Sequence, residues 1–123
     1  MKIRIKGNSI RFRLTRTDIA NFEKEGFLEE RTEFPNGSIF YYVLQQSEET
    51  SVIKADYSDN TIVMQVPDHM AAQWTGTDIV GFDHELVLPN GRTLSLLIEK
   101  DFECLDHRKE DQSDMYVNPN KEC

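Results

Sequence analysis

The first sixteen residues, MKIRIKGNSIRFRLTR, alternate between charged and apolar side chains on both sides of Gly7-Asn8. Period-two alternation marks a half-buried strand. A two-residue loop with Gly between two such runs predicts a hairpin with a primed turn. So short a turn leaves no freedom of register. Lys6 must face Ser9, Ile5 must face Ile10, and Arg4 must face Arg11; Ile3 then faces Phe12, and Lys2 faces Arg13. Ile3, Ile5, Ile10 and Phe12 share one face, with Met1 and Leu14 at its end. Lys2, Arg4, Lys6, Arg11 and Arg13 share the other. A slip of one residue would turn every side chain over. The rest of the chain must therefore cover the first face with a core and leave the second to water, acids or an anion.

From Thr15 the pattern becomes helical. Thr15 and Asp18 have the spacing of a capping box, with Asp in place of Glu. Ile19 and Phe22 supply an apolar stripe, and Gly26 can close the helix in the left-handed conformation. Strands follow near 27–34 and 38–45 around Pro35-Asn36-Gly37, then near 51–57 and 61–66 around Ser58-Asp59-Asn60. Pro67 suits the first turn of a second helix with Met70 and Trp74 as an (i, i+4) pair, broken by Gly76 and Gly81. Strands near 82–88 and 92–101 flank Pro89-Asn90-Gly91. The order hairpin, helix, hairpin thus occurs twice. Pro-Asn-Gly recurs at an offset of 54 residues, and the helix starts at Leu14 and Val66 are offset by 52. An internal duplication with two inserted residues accounts for this, and so does independent use of a common turn.

The expected fold is α+β and mainly antiparallel β. About eight strands form a barrel or a strongly curved sheet, with two short helices beside it. A single β-rich domain occupies residues 1–101. Residues 102–123 lack periodicity and read as an irregular tail, packed at most by Met115, Tyr116 and Val117.

Charge is distributed unevenly. Of 14 Lys and Arg and 22 Asp and Glu in 123 residues, the first sixteen residues hold six cations and no acid, and the remainder carries 8 cations against 22 acids. The overall charge of −8 argues against a nucleic-acid binder, which needs Lys and Arg to neutralise phosphates. No apolar run approaches the ~20 residues needed to cross a bilayer, and no apolar segment follows the first charges as in a secretory signal. The chain is expected in the cytoplasm, without membrane or nucleic-acid partners. Its two cysteines, Cys104 and Cys123, should stay unpaired there.

The cationic face has two readings. Arg4 opposite Arg11 and Lys2 opposite Arg13 repel, each pair by a few tenths up to ~1 kcal/mol. Acids on neighbouring strands could relieve this, with Glu29, Glu30, Glu33, Glu85, Glu99 and Asp101 as candidates; the face is then a solvated surface with weak ion pairs. Alternatively Lys2, Arg4, Lys6, Arg11 and Arg13 bind a small anionic ligand or an acidic protein partner, Arg offering bidentate geometry. A barrel with that face inward is similar to the triphosphate tunnel hydrolases, which have about eight strands built from a duplicated strand-and-helix unit. This likeness implies a metal-dependent tripolyphosphate or nucleotide phosphohydrolase, with Mg²⁺ on carboxylates and substrate phosphates. The Glu-x-Glu-x-Lys signature of those enzymes is missing, however, and Lys2-x-Arg4-x-Lys6 stands in the first strand. Phosphate-binding Gly-Lys-Ser/Thr, Gly-x-Ser-x-Gly and His-Glu-x-x-His motifs are also absent. The expectation is a non-catalytic binding or accessory module, with the phosphohydrolase as the alternative.

Cys104 and His107 have Cys-x-x-His spacing, and with Cys123 they could hold Zn²⁺, completed by Asp106, Asp111 or Asp114. The pairing is a weak signal, and a half-buried Cys104, a surface His107 and a free Cys123 explain the residues more simply. A disulfide would need Cα atoms within ~7 Å. Taken as whole segments, MKIRIKGNSIRFRLTR, LLIEKDFECL, and EDQSD followed by NP resemble a family of small uncharacterised bacterial proteins, over nearly the full length. The resemblance implies a single compact cytoplasmic domain. It carries no activity, substrate or catalytic residue.

Overall fold

A computed structural model describes residues 1–102. β1 (Lys2–Lys6) and β2 (Ser9–Leu14) form the first hairpin, in the register that the two-residue turn requires. Gly7 has φ of +53°, as at the first position of a type II′ turn. α1 (Arg16–Glu25) starts with the expected capping box: the Asp18 N–H donates to Thr15 Oγ1 at 3.2 Å, and the Thr15 N–H donates to Asp18 Oδ2 at 3.0 Å. It ends at Gly26, whose left-handed N–H donates to the Phe22 carbonyl at 2.7 Å. β3 (Phe27–Glu33) and β4 (Ile39–Ser47) form the second hairpin, and β5 (Lys54–Ser58) and β6 (Thr61–Pro67) the third. Asp59 and Asn60 both adopt positive φ between them, as a type I′ turn demands. α2 (Asp68–Gly76) leads to β7 (Gly81–Val87) and β8 (Thr93–Lys100). Gly81, expected to break the helix, instead opens β7 five residues after the last residue of α2.

The eight strands make two four-stranded sheets, β1-β2-β8-β7 and β3-β4-β6-β5. This corrects the expectation of a barrel or one curved sheet. Each hairpin joins a hairpin from the other half of the chain through a parallel pair, β2 with β8 and β4 with β6. The ladders therefore end at β1 and β7 in one sheet, and at β3 and β5 in the other. A closed barrel would need those edges paired. Four of the six strand pairs are antiparallel, in keeping with the mainly antiparallel expectation, and the two joints between halves are parallel.

The two halves have the same pairing. Lys2↔Arg13 in β1–β2 corresponds to Lys54↔Gln65 in β5–β6, 52 residues on. Phe27↔Gln45 corresponds to Gly81↔Glu99, 54 residues on. The parallel joint Ser9↔Ser95 likewise corresponds to Thr61↔Tyr41. The two Pro-Asn-Gly loops match as well. The Gly37 N–H donates to the Phe34 carbonyl and the Gly91 N–H to the Leu88 carbonyl, both at 2.9 Å. In each loop the Asn side-chain oxygen accepts from the backbone two residues later, at 3.0 Å. The difference between the two offsets lies in the loop 77–80 after α2, where the first half has Gly26 and no further linker.

One apolar core joins both sheets and both helices. Phe12 on β2 meets Tyr42 on β4 with ring centroids 5.9 Å apart, and Phe22 of α1 packs edge-on against Trp74 of α2 at 6.1 Å. Phe12, Phe22, Leu44, Met64, Trp74 and Ile98 are fully buried. Burial of such side chains contributes roughly 1.5–3 kcal/mol each before conformational entropy is counted. The Trp74 indole N–H donates to the Val80 carbonyl at 2.9 Å, which satisfies its one polar atom and pins the 77–80 loop. Among the described residues no helix is long and apolar enough to cross a membrane. The Zn²⁺ reading of Cys104, His107 and Cys123 lies outside the described residues. Within them, no three His, Cys, Asp or Glu side chains gather where a metal ion could sit.

Candidate functional site: the outer face of the first sheet

Alternation turns Ile3, Ile10, Phe12, Leu96 and Ile98 toward the core, so the side chains between them form the outer face of the β1-β2-β8-β7 sheet. All five cations expected to share a face lie on it. The register sets them in rows across the four strands. One row reads Arg4, Arg11, Leu97, Asp83; a second reads Lys2, Arg13, Glu99, Gly81; a third reads Lys6, Ser9, Ser95, Glu85. Charge is thus graded across the sheet, with cations on β1 and β2 and acids along the far edge.

Two of the acids named from the sequence answer part of the cationic charge. Arg13 Nε donates to Glu99 Oε1 at 2.7 Å, and Arg11 Nη1 reaches the same oxygen at 3.3 Å. Lys2 Nζ donates to Asp101 Oδ2 at 2.8 Å. This hydrogen bond is the main reason that the Asp101 carboxyl lies below the usual range; its slight burial opposes the shift. Arg4 and Lys6 have no carboxylate within ion-pair distance among the described residues. Five cations against Glu99 and Asp101 leave a local excess of three. Glu29, Glu30 and Glu33 belong to the other sheet and do not meet this face.

Of the far wall, sequence reasoning named Glu85 as a neighbour of the cations but not Asp83. Asp83 and Glu85 project from β7 on the same face, and a groove of about 390 Å³ runs between them and Arg11 over Ser95 and Leu97. The Ser95 hydroxyl donates to Glu85 Oε1 at 3.4 Å. Strand alternation splits Asp83-His84-Glu85: Asp83 and Glu85 are exposed, while His84 shares the inward parity of Phe82 and Leu86. No local signal could have put Asp83 beside Arg11, because that depends on the β2–β8 joint across more than eighty residues.

A family of unknown function (DUF7009) has a model that matches residues 1–120. The chain belongs to that family. No curated protein and no solved structure matches it significantly. For this family member the second half of the chain, which has the same strand pairing, supplies a comparison. The positions matching Lys2, Arg4, Lys6, Arg11 and Arg13 in the second half are Lys54, Asp56, Ser58, Val63 and Gln65. The same strand geometry therefore carries a face with one cation and one acid. Concentrated positive charge is a property of the first sheet, which the architecture itself does not demand.

Proposed function

We propose that this family member is a small cytoplasmic binding or accessory module, without catalytic chemistry of its own, that takes an anionic ligand or an acidic partner on its first hairpin. The observation that carries the reading is the register pairing Arg4 with Arg11, which puts both arginines on one open sheet face. Arg4 and Lys6, free of carboxylates among the described residues, are the groups an incoming anion would meet first. Two adjacent guanidinium groups suit bidentate contact with phosphate or carboxylate oxygens. The phosphohydrolase alternative needs these cations to line a channel with acids across from them. The inner faces are instead filled with Phe12, Leu44, Met64 and Ile98, so the observations favour binding. We also infer that the two halves descend from one hairpin–helix–hairpin unit; identical registers in every strand pair and matched Pro-Asn-Gly loops support this descent.

Tripolyphosphate or inorganic phosphate should raise the melting temperature, as ligands of the folded state do. Arg4→Glu with Arg11→Glu should abolish the rise. A rise that survives the double substitution would locate the anion elsewhere and reject the proposal.

A further inference from the structure

We propose that the outer face of the β1-β2-β8-β7 sheet binds the same face of a second copy of this chain, as a two-fold dimer whose axis runs along the strands. The inference rests on the reading of the cationic hairpin as a binding surface and names its acidic partner. A two-fold axis parallel to the strands leaves each row at its own height and reverses strand order, so β1 lies over the partner copy's β7 and β2 over its β8. Each row then brings one cation over an acid and no like charges together. Arg4 opposes Asp83, Lys6 opposes Glu85, and Arg13 opposes Glu99, while Leu97 lies opposite Arg11 near the axis. An isologous interface must be self-complementary, and a charge gradient across one face meets that condition only in this orientation. A two-fold axis across the strands would instead lay β1 over the partner copy's β1, cation against cation.

The second sheet is the internal control. Its corresponding row reads Asp56, Val63, Val43, Glu29. The same operation would place Asp56 over Glu29, a like-charge contact that costs energy. Edge pairing is also disfavoured. A β1–β1 contact between copies would align Lys2, Arg4 and Lys6 with one another, and a β7–β7 contact would align Asp83 with Glu85. Face-to-face packing avoids both. Sheets stack ~10 Å apart, a distance that extended Arg and Glu side chains bridge.

Four strands ~4.8 Å apart and about six residues long at ~3.3 Å per residue present roughly 380 Å² in projection. That is about half the area each partner contributes to a standard interface. The dimer is therefore weak and depends on its charges. Sedimentation of the full chain at high protein concentration should show dimer at low salt and monomer at about 1 M salt, where screening extends only about 3 Å.

The decisive test uses two charge-reversed chains. Asp83→Lys with Glu85→Lys makes both edges of the face positive, and Arg4→Asp with Lys6→Glu makes both negative. Each alone should associate at least tenfold more weakly than the parent, and an equimolar mixture should restore dimers containing one of each. The mixture also shows that both variants fold. Asp56→Lys with Glu29→Lys, on the other sheet, should leave the dimer intact. A parent chain that stays monomeric at low salt, a mixture that stays monomeric, or dimers unaffected by either reversal would overturn the proposal. The Asp83→Lys, Glu85→Lys chain keeps every cation and should still respond to tripolyphosphate. Loss of the phosphate response with an intact parent dimer would reject small-anion binding alone.

Discussion

The Met1 α-amino nitrogen lies 2.8 Å from Asp18 Oδ2 and 2.8 Å from Glu30 Oε2, and the Met1 carbonyl accepts from the Tyr42 hydroxyl at 3.1 Å. This node draws β1, α1, β3 and β4 to one corner, and nothing in the residues around Met1 announced it. Burial pulls the amine's pKa down, but hydrogen bonds from it to Asp18 and Glu30 outweigh that and raise it above the ordinary 8.0. Burial pushes the Asp18 carboxyl up, yet hydrogen bonds from the amine and from Thr15 bring it below its ordinary 3.8. The signs of the two contributions to stability are therefore opposite in pH. The carboxylate's share is complete above about pH 3.8 and is lost as pH falls through the lowered value. The amine's share is complete below about pH 8.0 and is lost as pH rises through the raised one. Asp18→Asn should cost about 1 kcal/mol near neutral pH through the weakened cap. It should also flatten stability against pH at both ends, read by urea unfolding across the range. A profile parallel to the parent's would show that the node contributes nothing.

Among the elements, the first hairpin and α1 are local structures and were legible as such. Gly7, the Thr15–Asp18 box and Gly26 each act on backbone within a few residues, so composition and spacing suffice to place them. β7 differs. A Cβ on Gly81 would lie 2.0 Å from the Ile98 carbonyl oxygen and 2.8 Å from Glu99 Cα, so β7 meets β8 there at backbone contact. Its counterpart in the first half is Phe27, which shows that the close approach belongs to this strand pair alone. Gly81→Ala should destabilise by about 2 kcal/mol or more by overpacking, lowering the melting temperature by roughly 10 °C in a domain of this size. A change within about 2 °C would mean that the β7–β8 joint yields easily. Spacing alone could present Gly81 only as a helix breaker, because a lone Gly carries the same signal at a helix end and at a close strand approach.

At the scale of the molecule, neither half owns a sheet. Residues 1–47 supply β1 and β2 to one sheet and β3 and β4 to the other, and the second half completes both. The halves should therefore unfold together in one transition. A chain cut between Ser47 and Lys54 should give two fragments with no cooperative unfolding of their own that regain structure when combined, followed by circular dichroism. Independent folding of either fragment would show that the parallel joints are dispensable. The same joints separate what could be read along the chain from what could not. Strand alternation, turn chemistry and capping act through neighbours a few residues apart, so the hairpins, the helices and the grouping of five cations on one face follow from local sterics and hydrogen bonding. The pairing of residues 9–14 with 95–100, the division into two open-edged sheets and the placing of Asp83 and Glu85 across from Arg4 and Arg11 have no local cause. They arise because Phe12, Phe22, Trp74 and Ile98 can leave water together only when distant segments meet, and burial of apolar surface is blind to distance along the chain.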